Sequence, residues 1–187
     1  MKNIKSNLKL VGIIAAGILA VILLCVFAVQ GAQNKAYSLE EQVLSAQSDI
    51  SVQEKRRAEL LPNLVDCVKE YDEHEYNTLM GVIEARGAGS DAAAEEVQTM
   101  ISALTEAYPE LKSNENYKQL MNDITITENL IANYRENYNK QIEAYNRYVR
   151  KFPTRMFLDW LGYEPQGYER LNYGDTYSEA PTDLFED

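Results

Sequence analysis

Residues able to do nucleophilic or acid–base chemistry are few in this chain, which has one histidine and two cysteines. Cys67 and His74 are seven residues apart, so a helix would place both on one face but about 10 Å apart along its axis. That separation is too long for the hydrogen bond that activates a catalytic thiol, and a small buried thiol is the preferred interpretation of Cys67. The sequence contains no Gly-rich phosphate loop, nucleophile elbow or paired-cysteine motif. We therefore expect no catalytic residue and a protein that is not an enzyme.

Glu70 and His74 have the i, i+4 spacing with which one helix face can present two ligands to a metal ion. Dinuclear sites in helical bundles use the Glu-x-x-His motif twice, which a chain with one histidine cannot supply. Glu128 could complete a mononuclear site, but polar residues at the rim of a helical core have the same spacing. The sequence therefore predicts neither a metal nor a cofactor.

Charged residues on different predicted helices form a second candidate group, namely Arg57, Arg86, Glu128 and Arg135. Glu128 borders the apolar stripe of the longest predicted helix, and a carboxylate buried there needs a charged partner. We therefore predict an ion pair between Glu128 and Arg57 or Arg86 within this polar cluster, which fixes the register between two helices. A ligand-binding role for the same residues is the alternative.

The element that must position Glu128 is a helix predicted over residues 114–152, a stretch without Pro or Gly. Its apolar residues recur at steps of mostly three and four, so they line one side of the helix. They are Tyr117, Leu120, Met121, Ile124, Leu130, Ile131, Tyr134, Tyr138, Ile142, Tyr145, Val149 and Phe152. Burying these side chains barely offsets the entropy lost in ordering the segment, so neighbouring helices must cover the stripe.

Three shorter amphipathic helices are predicted before it, over residues 38–61, 64–86 and 94–107. Pro62 disfavours helical geometry at the residue before it, so we predict a break at residues 61–63; the alternative is one kinked helix. Gly87 to Ser90 separate the next two helices. No strand-like alternation occurs in the sequence. If the chain reverses at each break, the fold class is all-α, an antiparallel four-helix bundle with one long C-terminal helix.

The N-terminal part contains a run of twenty uncharged residues, 10–29, which matches the hydrocarbon thickness of a bilayer. The run is longer than the core of a signal peptide, so we predict an uncleaved transmembrane helix; cleavage after Ala28 is the alternative. Lys2, Lys5 and Lys9 precede the run, which predicts a basic cytoplasmic N-terminus at residues 1–9 and an extracytoplasmic bundle. The predicted location is therefore a cell membrane, crossed in a single pass.

The soluble part of the chain is acidic, because all 29 acidic residues of a chain with formal net charge −11 follow residue 30. Such a surface repels phosphate backbones, so we expect no nucleic-acid partner. Acidic residues and scattered tyrosines dominate residues 164–187, which predicts a flexible acidic tail.

Aromatic and basic residues follow the long helix, where an up-and-down bundle would return the chain to the membrane. Phe152, Phe157, Trp160 and Arg155 combine the residue types that favour a lipid surface. We therefore consider a membrane-interface contact at these four residues. The alternative is that they cap the end of the bundle.

Two separated blocks of this sequence are distinctive. The first runs through RRAELLPNLV at residues 56–65 to EAR at residues 84–86, and the second runs from YPELK at residues 108–112 to FP at residues 152–153. Both blocks resemble the LemA family of bacterial membrane proteins, so the implied location is the bacterial cell membrane. The resemblance implies a membrane helix and an antiparallel four-helix bundle, here residues 30–163, with no associated enzymatic activity. A relative in magnetotactic bacteria is linked to the formation of organelle membranes, which implies scaffolding by analogy.

These observations predict a membrane-anchored, non-enzymatic helical bundle that acts as a scaffold or protein-interaction module at the cell envelope. The expected partners are the membrane, a protein of unknown identity and further copies of the chain. The alternative function is a sensor that binds a small ligand in the bundle core or at its membrane-proximal end.

Overall fold

A computed structural model describes the backbone of residues 2–171 and the side chains of residues 12–171. Every regular element in this range is helical, which confirms the predicted all-α class. The elements are α1 (Lys2–Asp66), α2 (Glu73–Arg86), α3 (Asp91–Ala107), a 3₁₀ turn (Leu111–Ser113), α4 (Glu115–Arg150) and α5 (Thr154–Trp160).

The predicted helix break at residues 61–63 was wrong, because α1 continues through Pro62 and ends at Asp66. Leu61 and Leu64 flank the proline and are completely buried, so packing offsets the backbone hydrogen bond that Pro62 lacks. The chain leaves the helix at residues 67–72 instead. Residues 64–86 are therefore two helical segments separated by a turn, and not the single helix expected from their spacing.

The chain forms two compact units, and each combines one part of α1 with one part of α4. One unit comprises Met1–Val43 and Lys140–Asp187, and we call it the anchor unit. The other comprises Leu44–Asn139, and we call it the central unit.

The core of the central unit is supplied by α1, α2, α3 and the first half of α4. Its buried side chains recur at three- and four-residue steps within each helix, as expected for helices packed side by side. They are Leu61, Leu64, Val65, Val68, Leu79, Ile83, Ala93, Val97, Ile101, Leu104, Leu111 and Ile124. Asp72 caps α2 by accepting hydrogen bonds from the backbone N–H of His74 at 2.9 Å and of Glu75 at 3.0 Å.

The anchor unit contains the apolar N-terminal segment of α1, the last residues of α4, and α5. From Gly12 onward, α1 is long and apolar enough to cross a membrane, and a signal sequence would meet the same criteria. Its apolar side chains are exposed as far as Phe27, whereas Val29 is 5% exposed. The protein therefore begins to cover α1 where the apolar run ends.

Two contacts show that α4 runs antiparallel to α1 within the anchor unit. The Tyr145 hydroxyl lies 3.4 Å from Glu40 Oε1, and the Tyr148 hydroxyl donates to the carbonyl of Ala32 at 3.2 Å. Later residues of α4 thus contact earlier residues of α1.

Candidate functional site

Arg57 is the most conspicuous polar residue of the central unit, since its side chain is only 1% exposed. Its Nη1 donates to both carboxylate oxygens of Glu128, at 3.1 and 2.9 Å. Its Nη2 donates to Asp91 Oδ1 at 2.8 Å and to the Gly89 carbonyl at 2.5 Å, and Nε reaches the same carbonyl at 3.2 Å. The guanidinium thus joins α1 to α4, to α3 and to the loop before α3. A charge buried to this degree is tolerated only with such a set of partners.

The Gly89 carbonyl can reach Arg57 because the loop between α2 and α3 lies directly against α1. A Cβ at Gly89 would stand 3.1 Å from the Glu54 carbonyl oxygen, so a larger residue would require the loop or α1 to shift by a few tenths of an ångström. Gly87 begins the loop with φ +80°, a conformation that favours glycine. Ser90 ends it as the N-cap of α3, accepting from the N–H of Ala93 at 3.1 Å.

Arg135 on α4 completes the group, which we call the arginine cluster: Glu54, Arg57, Gly89, Asp91, Glu128 and Arg135. Arg135 donates to both oxygens of Asp91, at 2.8 and 3.0 Å, and to Glu54 Oε1 at 2.9 Å. Partial burial opposes ionisation of Asp91, but hydrogen bonds from Arg135 and Arg57 outweigh it and lower the pKa of Asp91. Burial likewise opposes the charge of Arg135, yet Asp91 and Glu54 raise the pKa of Arg135.

The structure brings together three of the four residues that the sequence grouped, namely Arg57, Glu128 and Arg135. Arg86 lies apart from Glu128: its Nε is 2.5 Å from Glu96 Oε2, with both side chains well exposed, so it links α2 to α3. Sequence reasoning missed Asp91, which contacts both arginines of the cluster. Its place directly after the N-cap Ser90 was an available signal, because carboxylates are favoured in the first turn of a helix.

Cys67 and His74 do not share a helix, because Cys67 lies in the turn after α1 and His74 in the first turn of α2. The Cys67 thiol donates to the carbonyl of Asn63 at 3.6 Å. Burial, followed by the nearby charges of Asp66 and Glu70, raises the pKa of Cys67, whereas a nucleophilic thiol needs a lowered pKa. In the part of the chain with described side chains, no three His, Cys, Asp or Glu side chains are placed to hold one metal ion.

A group of tyrosines occupies the anchor unit where α4 contacts α1, and we call it the tyrosine cluster: Glu40, Tyr145, Tyr163 and Gln166. The hydroxyls of Tyr145 and Tyr163 are 2.9 Å apart, and Tyr163 donates to Glu40. The backbone N–H of Gln166 donates to the Tyr145 hydroxyl at 2.7 Å. Burial, then the contacts with Glu40 and Tyr145, raise the pKa of Tyr163.

The tyrosine cluster includes contacts with the first residues of the predicted flexible tail, which begins at residue 164. Gln166 is hydrogen-bonded to Tyr145, and the ring of Tyr168 lies edge-on to that of Tyr145, with centroids 5.3 Å apart. The tail sequence therefore begins with a segment that packs against α4. The rest of the predicted tail, from residue 172, lies outside the described residues.

The four residues considered for a membrane interface lie around α5 in the anchor unit. Phe152 and Trp160 are 81% and 77% exposed, and Arg155 is exposed as well. Phe157 is half-buried, while Met156, which was not in the predicted set, is 53% exposed.

Comparison with known families matches residues 46–182 to the LemA family model. The chain belongs to the LemA family. The resemblance inferred from the two sequence blocks is thereby confirmed. All residues of the arginine cluster lie inside the matched range, whereas Glu40 and the apolar N-terminal segment precede it.

Curated relatives agree with the LemA assignment. Protein LemA of Metamycoplasma hominis is 26% identical over 140 residues, which cover 68% of this chain and 64% of that protein. Magnetosome proteins MamQ 1 and MamQ 2 of Paramagnetospirillum magneticum are each 29% identical over 89 residues, covering 47% of this chain. The match spans only 33% of either MamQ protein. The family, the relatives and the apolar helix together indicate a membrane-associated helical protein.

Proposed function

We propose that this LemA-family chain is a membrane-anchored, non-enzymatic helical module that scaffolds or binds other proteins at the bacterial cell envelope. The observation that carries the proposal is the continuity of α1, a single helix over Lys2–Asp66 that contains both the apolar segment and core residues of the central unit. Because no loop interrupts α1, a membrane span at its start would be joined to the soluble part by regular helix. Such a connection suits a module that is attached to a bilayer and presents a surface outside it.

The charged side chains also support a structural function over catalysis. In the arginine cluster, each of the two guanidiniums contacts carboxylates and each of the three carboxylates contacts a guanidinium, so every charged group has a partner of opposite charge. A catalytic site usually keeps a perturbed acid, base or nucleophile available to a substrate. The cluster instead resembles the polar pairs that fix helix register, and the name of the MamQ relatives as magnetosome proteins is compatible with a scaffold.

The proposed orientation places the N-terminus in the cytoplasm and an antiparallel four-helix bundle outside, in a single pass. Lys2, Lys5 and Lys9 before the apolar run, and the acidic residues after it, support this orientation through the positive-inside rule. The antiparallel contacts of α1 with α4 support the bundle topology. The proposed partners are an envelope protein of unknown identity and further copies of this chain.

Anchoring is tested by washing membranes of cells that express the full chain with alkaline carbonate. We expect the protein to stay in the membrane pellet at its full mass, and a reporter active only in the cytoplasm to be silent at its C-terminus. Arginines at Ile18 and Ile22 provide the control, since each costs about 2.5–3.5 kcal/mol near the centre of a span. Release of the unmodified chain by carbonate, or cleavage after Ala28, would refute a membrane anchor.

The scaffold function is tested by mild crosslinking in native membranes, followed by identification of the crosslinked proteins. We expect crosslinks to a reproducible set of envelope proteins, to other copies of the chain, or to both. A matched chain carrying Arg57→Met, which destabilises the central unit, should form fewer of them. Equal crosslinking of the destabilised chain, measured at a temperature where its central unit has melted, would argue against a specific scaffold.

A second candidate function, a sensor for a small polar ligand, is favoured by a cavity of the central unit. The cavity has a volume of about 450 Å³ and lies between the end of α1 and the start of α4. Its lining is mostly amide and carboxylate side chains: Asn63, Asp66, Cys67, Glu70, Asn114, Asn116, Gln119 and Leu120. A polar ligand that binds there should raise the melting temperature of the protein but not that of the Asn116→Leu variant, and no such ligand in a metabolite screen would count against a sensor.

A further inference from the structure

The short helix α5 has two faces of opposite character. Thr154 and Leu158, four residues apart, are 6% and 1% exposed, so one face packs against the anchor unit. Phe152, Met156 and Trp160, also four residues apart, are 81%, 53% and 77% exposed. Residues at this spacing lie on the same side of a helix, so Met156 and Trp160 share the outward side of α5. Phe152 precedes α5 in the turn that joins it to α4. We call these three exposed apolar side chains the α5 face.

The buried side of α5 holds this face in a fixed position on the anchor unit. The N–H of Tyr163 donates to the carbonyl of Leu158 at 3.0 Å, which closes the end of α5. Tyr163 also contacts Glu40 on α1 and packs edge-on against Tyr37, with ring centroids 5.7 Å apart. The exposure of the α5 face is thus a property of an anchored helix and not of a loose chain end.

The last part of α4, which leads into α5, contacts α1 close to the end of the apolar segment. The Tyr148 hydroxyl contacts the Ala32 carbonyl, and α4 runs antiparallel to α1 at this point. Ala32 lies three residues after Val29, where the exposed apolar run of α1 ends, and Phe152 follows Tyr148 by four residues. The chain therefore enters α5 shortly after it contacts α1 near the end of the apolar segment.

The charge around the α5 face differs from that of the rest of the soluble chain. Residues 147–160 contain four basic residues and one acidic residue, in a chain whose formal net charge is −11. The basic residues Arg147, Arg150, Lys151 and Arg155 are all exposed. Aromatic residues flanked by lysine and arginine are characteristic of protein surfaces that enter the headgroup region of anionic membranes.

We propose that the α5 face inserts into the headgroup region of an anionic bilayer, beside the apolar segment of its own chain. The inference rests on the membrane anchoring proposed above and adds a second lipid contact and a lipid class. Three side chains bind a membrane weakly on their own, but the anchor keeps them at high effective concentration next to the bilayer. The contact would fix the tilt of α4, and with it the orientation of the anchor unit, relative to the membrane surface.

Trp160 is the only tryptophan of the chain, so its fluorescence reports the α5 face without labelling. The full chain is reconstituted in vesicles of phosphatidylglycerol and phosphatidylcholine whose acyl chains carry bromine near the headgroup or near the chain end. We expect shallow bromines to quench Trp160 more than deep ones, and quenching to weaken in vesicles of phosphatidylcholine alone. Absence of quenching in vesicles that retain the protein after a carbonate wash overturns the α5 contact while membrane anchoring stands. Release of the protein by that wash overturns both.

Two pairs of substitutions distinguish an effect of the α5 face on Trp160 quenching from an effect of exposed apolar residues in general. Phe152→Ser with Met156→Ser should lower the quenching of Trp160 by about half or more, since two of the three inserting side chains are lost. The matched control is Leu44→Ser with Val52→Ser, two exposed residues of α1 at 46% and 61%, which should leave the quenching unchanged. Equal quenching in both pairs contradicts the proposal. A second copy of the chain could cover the α5 face instead of lipid. In that case brominated lipid would not quench Trp160 until the protein is diluted in the vesicles, and this result also contradicts the proposal.

Discussion

Replacing Arg57 by methionine should destabilise the central unit strongly, because Arg57 on α1 contacts α3, α4 and the α2–α3 loop at once. Methionine keeps most of the apolar stem of the side chain, so the substitution removes the guanidinium with little change in packing volume. Five hydrogen bonds disappear, two to Glu128, two to the Gly89 carbonyl and one to Asp91.

The expected loss in the free energy of unfolding depends on whether each former partner of Arg57 can find water or another donor. Breaking a buried ion pair by removing one member costs about 3–5 kcal/mol when the other stays buried. Here Glu128 is 33% exposed and can recover some hydration, while Asp91 keeps its hydrogen bonds to Arg135, so the cost belongs at the lower end. The Gly89 carbonyl loses both donors, for about 1–3 kcal/mol if it stays dry. We expect a loss of roughly 3 kcal/mol in the free energy of unfolding.

The measurement is thermal unfolding of the full chain in detergent, followed by far-ultraviolet circular dichroism. A loss of about 3 kcal/mol lowers the midpoint by roughly 12 °C or more for a unit of this size. Arg86→Met is the matched control, since Arg86 also joins two helices but its side chain is 50% exposed; its loss should stay below about 1 kcal/mol. If the two variants melt alike, the hydrogen bonds of Arg57 do not stabilise the fold, and the argument from burial fails.

Three further outcomes follow from the pKa shifts and contacts. The pKa of Asp91 is lower in the folded state than in the unfolded state, so the Asp91 carboxylate stabilises the fold at pH values above its unfolded pKa of about 3.9. This stabilisation is lost as the pH falls through the folded pKa. Asp91→Asn should therefore remove that part of the acid dependence of the melting midpoint. The pKa of Asp72 is lowered by the N–H of Glu75 and then by the Tyr108 hydroxyl, so Asp72→Asn should lower the melting temperature more at neutral pH than in acid, where Asp72 itself is protonated. Tyr163→Phe removes a hydroxyl of the tyrosine cluster and should speed tryptic cleavage at Arg170, as measured by mass spectrometry, without changing the helical content.

Most of the helices could be predicted from the sequence because their apolar spacing is regular and their ends carry strong signals. The stripe on residues 114–152 became α4 (Glu115–Arg150), and the Gly87 to Ser90 segment separates α2 from α3 as expected. The failure at Pro62 has a physical cause, since proline costs one helical hydrogen bond, a loss that packing of fully buried neighbours can offset. That offset depends on contacts with distant residues, which local sequence rules do not contain.

The candidate site was predictable in part, for a related reason. A carboxylate beside an apolar stripe requires a cation, so Glu128 pointed to an arginine on another helix. The choice between Arg57 and Arg86 depended on which of them the fold buries, and the approach of the Gly89 carbonyl depended on loop geometry. The tyrosine cluster had no local signal, because it joins residues that are more than 100 positions apart in the sequence.

The position of Arg57 in the α1 pattern explains why a costly buried charge is useful there. Buried residues of α1 alternate at three- and four-residue steps from Val29 to Ile50, and Arg57 lies one heptad after Ile50. An apolar stripe of this kind permits a helix to shift by seven residues against its neighbour, because one apolar residue then takes the place of another. A guanidinium that requires two carboxylates and a carbonyl at fixed places permits one register only, as polar residues do at the seams of coiled coils. A shift of one heptad would move the side chains of α1 by about 10 Å along the helix axis and separate Arg57 from all of these partners.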